Sequence, residues 1–175
     1  MGRGRRPGPA SPAVNAAERA HAEALLGGAL VGAGLEGVRF WDTLVLLFAY
    51  RGGRAVSAVG VDEVWLRLES RWVVFASAPP PSLPDREEEL PEVALAAQLA
   101  LLARLAGRRV TRVSLGPEHP HLLLTFDSGA ALFANGRHDR YECWELGTIP
   151  SSVTVVALPG GRVSYSLPPG PEPGG

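Results

Sequence analysis

Apolar positions recur along this chain with two different periods. In "VWLRLESRW", Val64, Leu66 and Leu68 fall on one side of an extended segment, and Trp65, Arg67, Glu69 and Arg71 on the other. That alternation predicts a half-buried β-strand. "LVLLFAY" (44–50) is apolar on both sides and so predicts a central strand. From Asn15, "NAAERAHAEALLGGALVG" predicts a helix, with Asn15 and Glu18 as a capping box and glycines at its end. From Leu90, "LPEVALAAQLALLARLAG" predicts a second helix, with Pro91 at the first position and Gly107 at the stop. Its expected buried stripe is Leu90, Val93, Ala94, Ala97, Leu101 and Leu105. Asp127-Ser128-Gly129 and Asn135-Gly136 carry tight-turn chemistry, and a last hairpin is expected to turn at Pro159-Gly160-Gly161.

The order of elements is used twice. "LVGAGLEGV" (30–38) matches "LAGRRVTRV" (105–113), which pairs Leu30 with Leu105, Gly32 with Gly107, Leu35 with Val110 and Val38 with Val113. "LVLLFAYRGG" (44–53) matches "LLLTFDSGAA" (122–131) and sets Phe48 against Phe126. "LESRW" (68–72) matches "YECW" (141–144) if Arg71 is an inserted residue of the kind a bulge accommodates. The predicted fold is α+β: two helix-plus-antiparallel-β-meander units, an internal duplication, around a shared core. The units span 15–76 and 90–167, joined by a Pro-rich and acidic linker at 77–89. A basic tail at 1–14 and a Pro/Gly-rich tail at 168–175 flank them, both too poor in bulky side chains to offset ordering entropy.

Composition narrows the class. The 175 residues suffice for one domain with a sizeable core. A net charge of −1 gives no electrostatic reason to expect nucleic acid or an anionic membrane as partner. Arg3, Arg5 and Arg6 are too few charges to change that, since each phosphate contact releases few counterions. All basic residues are arginine, and Ile149 is the only isoleucine, a bias that GC-rich codons produce and that points to a GC-rich bacterium. One cysteine cannot form an internal disulfide, so a reducing cytoplasm is expected. No stretch approaches the roughly 20 apolar residues that span a bilayer. The paired arginines near the start lack a following apolar region, so export is not expected.

The second half, "LAGRRVTRV…LLLTFDSGAALFA…YECWELG…VVALPGGRVSY", resembles small uncharacterised bacterial domains. Their pattern is an L-x-G-x-x-V strand, an L-x-L-x-F-x-x-G hairpin, a Y-E-S-W strand and a late P-G-G turn. Such domains often occur among immunity-like proteins associated with bacterial toxin systems. The resemblance covers roughly residues 105–165, and more faintly 30–75 through the internal match. It implies no catalytic residues. Cys143 stands where the pattern more often has serine, which implies that no thiol is required.

The densest chemistry lies in "FDSGAALFANGRHDRYECWELG" (126–147). As a cysteine hydrolase, Cys143 would be the nucleophile and His138 or His121 the base. Glu142 and Glu145 beside the thiol would raise its pKa, the wrong direction for reactivity. As a metal site, His119, His121, His138 and Cys143 offer suitable atoms, and His119-Pro120-His121 could chelate from one strand, but the spacings match no compact zinc module. Glu142 and Glu145 are expected on opposite faces of a strand. No P-loop, dinucleotide fingerprint or nucleophile elbow occurs, so no cofactor is expected. The acidic run at 85–92 is expected to be solvated, its carboxylates favouring the start of the following helix. Trp72 and Trp144 are expected as core anchors, with Trp41 at the start of a strand and Trp65 among arginines on a polar face.

The reading that follows is a non-enzymatic, cytoplasmic, immunity-like protein-binding domain that occludes a bacterial toxin or another protein partner through a sheet face. Its expected contact residues are Trp65, Arg67, Glu69 and Arg71, with Arg140 and Glu142 as counterparts from the second unit. The alternative is a small metal- or cysteine-dependent hydrolase using His138, Cys143 and His121. A homodimer through an edge strand is a third reading.

Overall fold

The computed structural model describes residues 15–40, 42–50, 63–79 and 83–168. The basic tail with Arg3, Arg5 and Arg6, Trp41, and the C-terminal tail beyond Pro168 lie outside these residues.

Helix α1 (Ala16–Leu30) starts at Asn15, whose side-chain oxygen accepts the Ala17 N–H at 3.0 Å. Three strands follow, β1 (Gly34–Phe40), β2 (Leu44–Ala49) and β3 (Glu63–Leu68), and then β4 (Trp72–Phe75). A 3₁₀ turn at Glu87–Glu89 leads to helix α2 (Leu95–Ala103). The second run is β5 (Val110–Leu115), β6 (Leu122–Phe126), β7 (Ala131–Ala134) and β8 (Trp144–Ile149). It closes with the hairpin β9 (Thr154–Leu158) and β10 (Arg162–Ser166), which turns through Gly160 and Gly161 at positive φ. The fold is α+β, with two antiparallel sheets.

Each sheet takes strands from both halves of the chain. The larger runs β1-β2-β3-β8-β9-β10 and the smaller β4-β7-β6-β5. Thus β4 leaves its own meander to pair with β7, and β8 leaves its own to pair with β3. Where the two crossing segments meet, Glu69 and Ser70 N–H both donate to the Cys143 carbonyl at 2.9 Å, and Asn135 N–H donates to the Arg71 carbonyl at 2.9 Å. These bonds satisfy backbone groups that a strand leaving its sheet would otherwise bury unpaired. The register of β1 on β2 shifts between Leu35 and Gly37, and that of β5 on β6 shifts between Val110 and Arg112.

The main apolar cluster draws on both sheets and both helices. Its largest fully buried side chains include Trp144, Phe48 and Phe126, each contributing about 1.5–3 kcal/mol or more relative to exposure. The Trp144 indole N–H donates to the Pro120 carbonyl at 2.8 Å, so the polar end of the ring is satisfied. Trp72 is half-buried and packs against the same cluster. Tyr50, just after β2, donates its hydroxyl to the Ala29 carbonyl at 2.8 Å and ties the end of α1 to the larger sheet. None of the described helices is long and apolar enough to cross a membrane.

The second helix departs from expectation. It starts four residues after Pro91, and of its residues only Gln98 and Leu102 are buried. Leu90 and Leu105 are buried but flank the helix, Leu101 is half-buried, and Val93, Ala94 and Ala97 are exposed. The cause is an edge strand. β4 lies at the border of its sheet, and the Gln98 side-chain oxygen accepts the otherwise orphaned Val74 N–H at 2.7 Å. The one polar side chain of α2 therefore points inward. At the other border of that sheet, Leu115 N–H of β5 donates to Glu23 of α1 at 3.2 Å. Each border of the smaller sheet thus has one backbone N–H held by a helix side chain, which hinders strand addition at that point.

The stretch before α2 is packed as well. Leu83 and Leu90 lie against Val73, Phe75, Leu123 and Phe133, a second apolar cluster on the outer face of the smaller sheet. Residues 83–90 form a strap across that face.

Candidate functional site

On the larger sheet, β3 and β8 set Arg67 opposite Glu145 and Trp65 opposite Gly147. The alternation of β3 holds: Val64, Leu66 and Leu68 are buried, while Trp65 and Arg67 are half-buried on the outer face. The absence of a side chain at Gly147 makes room for the Trp65 indole, which a Cβ there would overlap. Arg67 is ringed by carboxylates. Its guanidinium pairs with Glu145, its Nε lies 2.9 Å from Glu69 Oε1 without hydrogen-bond alignment, and an Nη lies 4.0 Å from Glu142 Oε2. Half-buried Val45, Leu47 and Val156 adjoin this group through the ladder.

The expected contact residues therefore separate. Trp65, Arg67, Glu69 and Glu142 share a surface, joined by Glu145. Glu142 precedes β8 and reaches the same guanidinium as Glu145, which corrects the expectation that a strand would keep the two carboxylates apart. Arg71 leaves the group: its guanidinium donates to the carbonyls of Glu87 at 3.2 Å and Pro91 at 3.3 Å, fastening the strap. It cannot follow Arg67 because β3 ends at Leu68 and the chain turns toward the other sheet. Arg140 lies in an exposed turn and lines an open groove of about 790 Å³ of mixed charge, with Arg86, Arg137 and His138 facing Glu87, Glu88, Glu89 and Asp139.

The histidines and the thiol do not gather. His138 Nδ1 accepts the N–H groups of Arg140 at 3.1 Å and Tyr141 at 3.0 Å, and its ring stacks on Tyr141. Cys143 sits just ahead of β8, fully buried beside Ser70. Burial, reinforced by the negative charge of Glu87 and partly offset by a Ser70 hydrogen bond, pushes its thiol up to about 12. His119 and His121 do come together, around a residue that pattern reasoning passed over. Asp85 of the strap has Oδ1 at 3.2 Å from His121 Nε2 and 3.6 Å from His119 Nε2, and its other oxygen pairs with Arg137. Burial alone would push the Asp85 carboxyl up. The His121 hydrogen bond and the charges of His119, Arg137 and His121 outweigh it and hold the carboxyl below its ordinary value.

This trio is not built for a metal. His121 Nδ1 accepts the Gly136 N–H at 2.9 Å, so in the neutral ring the proton sits on Nε2. Nε2 could bind a cation only by moving that proton to Nδ1, against another donor, the reverse of the acceptor that supports ligating histidines. Among the described residues, no group of three or more His, Cys, Asp or Glu side chains has metal-holding geometry. Among them, too, His121, His138 and Cys143 share no hydrogen bond on which a hydrolase could rest.

A cleft of about 670 Å³ lies beside the strap, lined by Leu83, Asp85, His119, His121, Leu123 and Phe133 among others. The signal for it was faint, because Asp85 and Arg137 stand far from the histidines in sequence and Asp85 sits in a Pro-rich run. No protein-family model, curated protein or solved structure matches this chain.

Proposed function

We propose that the protein is a non-enzymatic binding domain that engages a protein partner through the outer face of β3 and β8. The observation that carries this reading is the setting of Arg67: three carboxylates, Glu69, Glu142 and Glu145, around one guanidinium, beside the Trp65 indole. One cation against three anions leaves a surplus of negative charge, which suits a basic partner. An aromatic next to that charge supplies the anchor around which binding energy concentrates. Charge complementarity would speed encounter, and the indole with Val45 and Leu47 would slow release. Occlusion of a bacterial toxin in the cytoplasm, the immunity-like role, fits this mechanism and rests on the sequence patterns. Neither a nucleic acid nor a membrane is proposed as partner.

The test is site-directed photo-crosslinking in a GC-rich bacterial host. A photoactivatable phenylalanine at Val45 should capture a discrete protein, and Trp65→Ala should abolish the capture. Capture of the same protein from Thr111, on the other sheet, or persistence with Trp65→Ala, would defeat the reading.

We also propose that the two halves arose by duplication of one unit. Its support is the matched register shifts after Leu35 and Val110, and the positive φ shared by Gly32 and Gly107.

A further inference from the structure

Helix α2 is apolar except for Gln98, and Gln98 is turned inward onto Val74. Its outward side is left with hydrocarbon alone. Leu95, Ala96, Leu99, Ala100 and Ala103 recur at the spacing of one helical stripe, and of these only Leu99 is even half-buried. Leu95 is 51% exposed, and Val93, just before the helix, is 40% exposed. A continuous apolar stripe left open to water marks a contact surface. The charges at its two ends say what fits it. Glu88, Glu89 and Glu92 precede the helix, Arg104, Arg108 and Arg109 follow it, and all six are exposed. Among the described residues, none of the six pairs with an opposite charge of its own chain. A second copy laid parallel on the stripe would bring like charges together. Laid antiparallel, about a two-fold axis through Leu99, it sets the acidic start of each helix on the basic end of the other. The same axis puts Leu95 opposite Ala103 and Leu99 opposite Leu99, so large side chains meet small ones on either side of it and the helices can approach closely.

We propose that α2 is a self-association surface: two copies of this chain pair antiparallel through Leu95, Leu99, Ala100 and Ala103, with Glu92 of each copy facing Arg104 of the other. The surface lies on the helix that covers the β4 border of the smaller sheet, and it does not depend on the Trp65 face of the larger one. A nine-residue helix is roughly 14 Å long, so the contact falls at the small end of specific interfaces. The dimer is accordingly weak, dissociating in the micromolar range.

Sedimentation equilibrium of the full chain tests this. The mass should climb from 18.5 kDa toward twice that value as concentration rises from about 1 to about 300 µM. Ala100→Glu sets two like charges beside the axis, while giving Arg104 a favourable neighbour on its own helix, and should weaken association by about tenfold or more. Glu92→Arg and Arg104→Glu should each stay monomeric, because each brings like charges together at both ends of the contact. Mixed with one another, these two variants carry opposite charges at both ends and should recover the parent's affinity to within about threefold. A parent chain that stays monomeric throughout that range overturns the proposal and leaves α2 to a different partner. Dimerisation that Ala100→Glu leaves intact overturns it too, as do single charge variants that fail to associate on mixing. Should Ala100→Glu not fold, the two charge variants, both at exposed positions, decide alone.

Discussion

Gly32 and Gly107 play the same part in opposite sheets: Gly32 N–H donates to the Val110 carbonyl of β5 at 2.8 Å, and Gly107 N–H donates to the Leu35 carbonyl of β1 at 2.7 Å. Between them, Val110 N–H donates to Ala33 at 2.9 Å and Leu35 N–H to Arg108 at 3.1 Å, so each strand start is fastened by the other. Both glycines follow a helix, with φ of 90° and 73°. An L side chain in that region costs roughly 1–2 kcal/mol. Gly32→Ala and Gly107→Ala should each lower stability by about that much in urea unfolding. The double variant should deviate from additivity because the two bonds share one junction. A Gly32→Ala protein as stable as the parent would contradict this.

The edges of the smaller sheet give a second expectation. Gln98→Ala leaves the Val74 N–H buried without an acceptor, a loss of about 1–3 kcal/mol. It also opens the β4 edge, so light scattering should report association at concentrations where the parent is monodisperse. Glu23→Ala, at the part-buried β5 edge, should cost less, about 0.5–1.5 kcal/mol.

Cys143 should behave as an inert core thiol. With burial and the Glu87 charge pushing it up to about 12, it carries almost no thiolate at neutral pH. A chromogenic disulfide reagent should label it only as fast as the chain unfolds, and completely in denaturant. Rapid labelling of the native protein would reopen the hydrolase reading.

Zinc should not bind stoichiometrically. Native mass spectrometry after zinc addition should show the apo mass, and the His121 nitrogen shifts should be unmoved, because its Nδ1 faces the Gly136 donor.

Strand identity was legible where alternation was strong. Val64, Leu66 and Leu68 turned inward as their spacing required, and Phe48 and Phe126 both reached the core. The phase of α2 was not legible, because Gln98 is its single polar residue and its role depends on Val74, 24 positions away. The crossing of β4 and β8 was hidden for a related reason. Pairing partners such as Trp72 with Ala134 are set by the whole sheet, and no local period records them. Asp85 looked like one more charge in a solvated run, and only the folded chain brings it to His119, His121 and Arg137.

The exchanged strands also bear on how the protein is made. When β4 leaves the ribosome, the strand it must pair with, β7, is not yet synthesised, and the free border of β3 waits for β8. The first half therefore spends part of translation as an unfinished template with Leu66 and Val74 uncovered. Any factor that shields nascent chains would meet it there, and slowing elongation between β4 and β7 should lengthen that exposure.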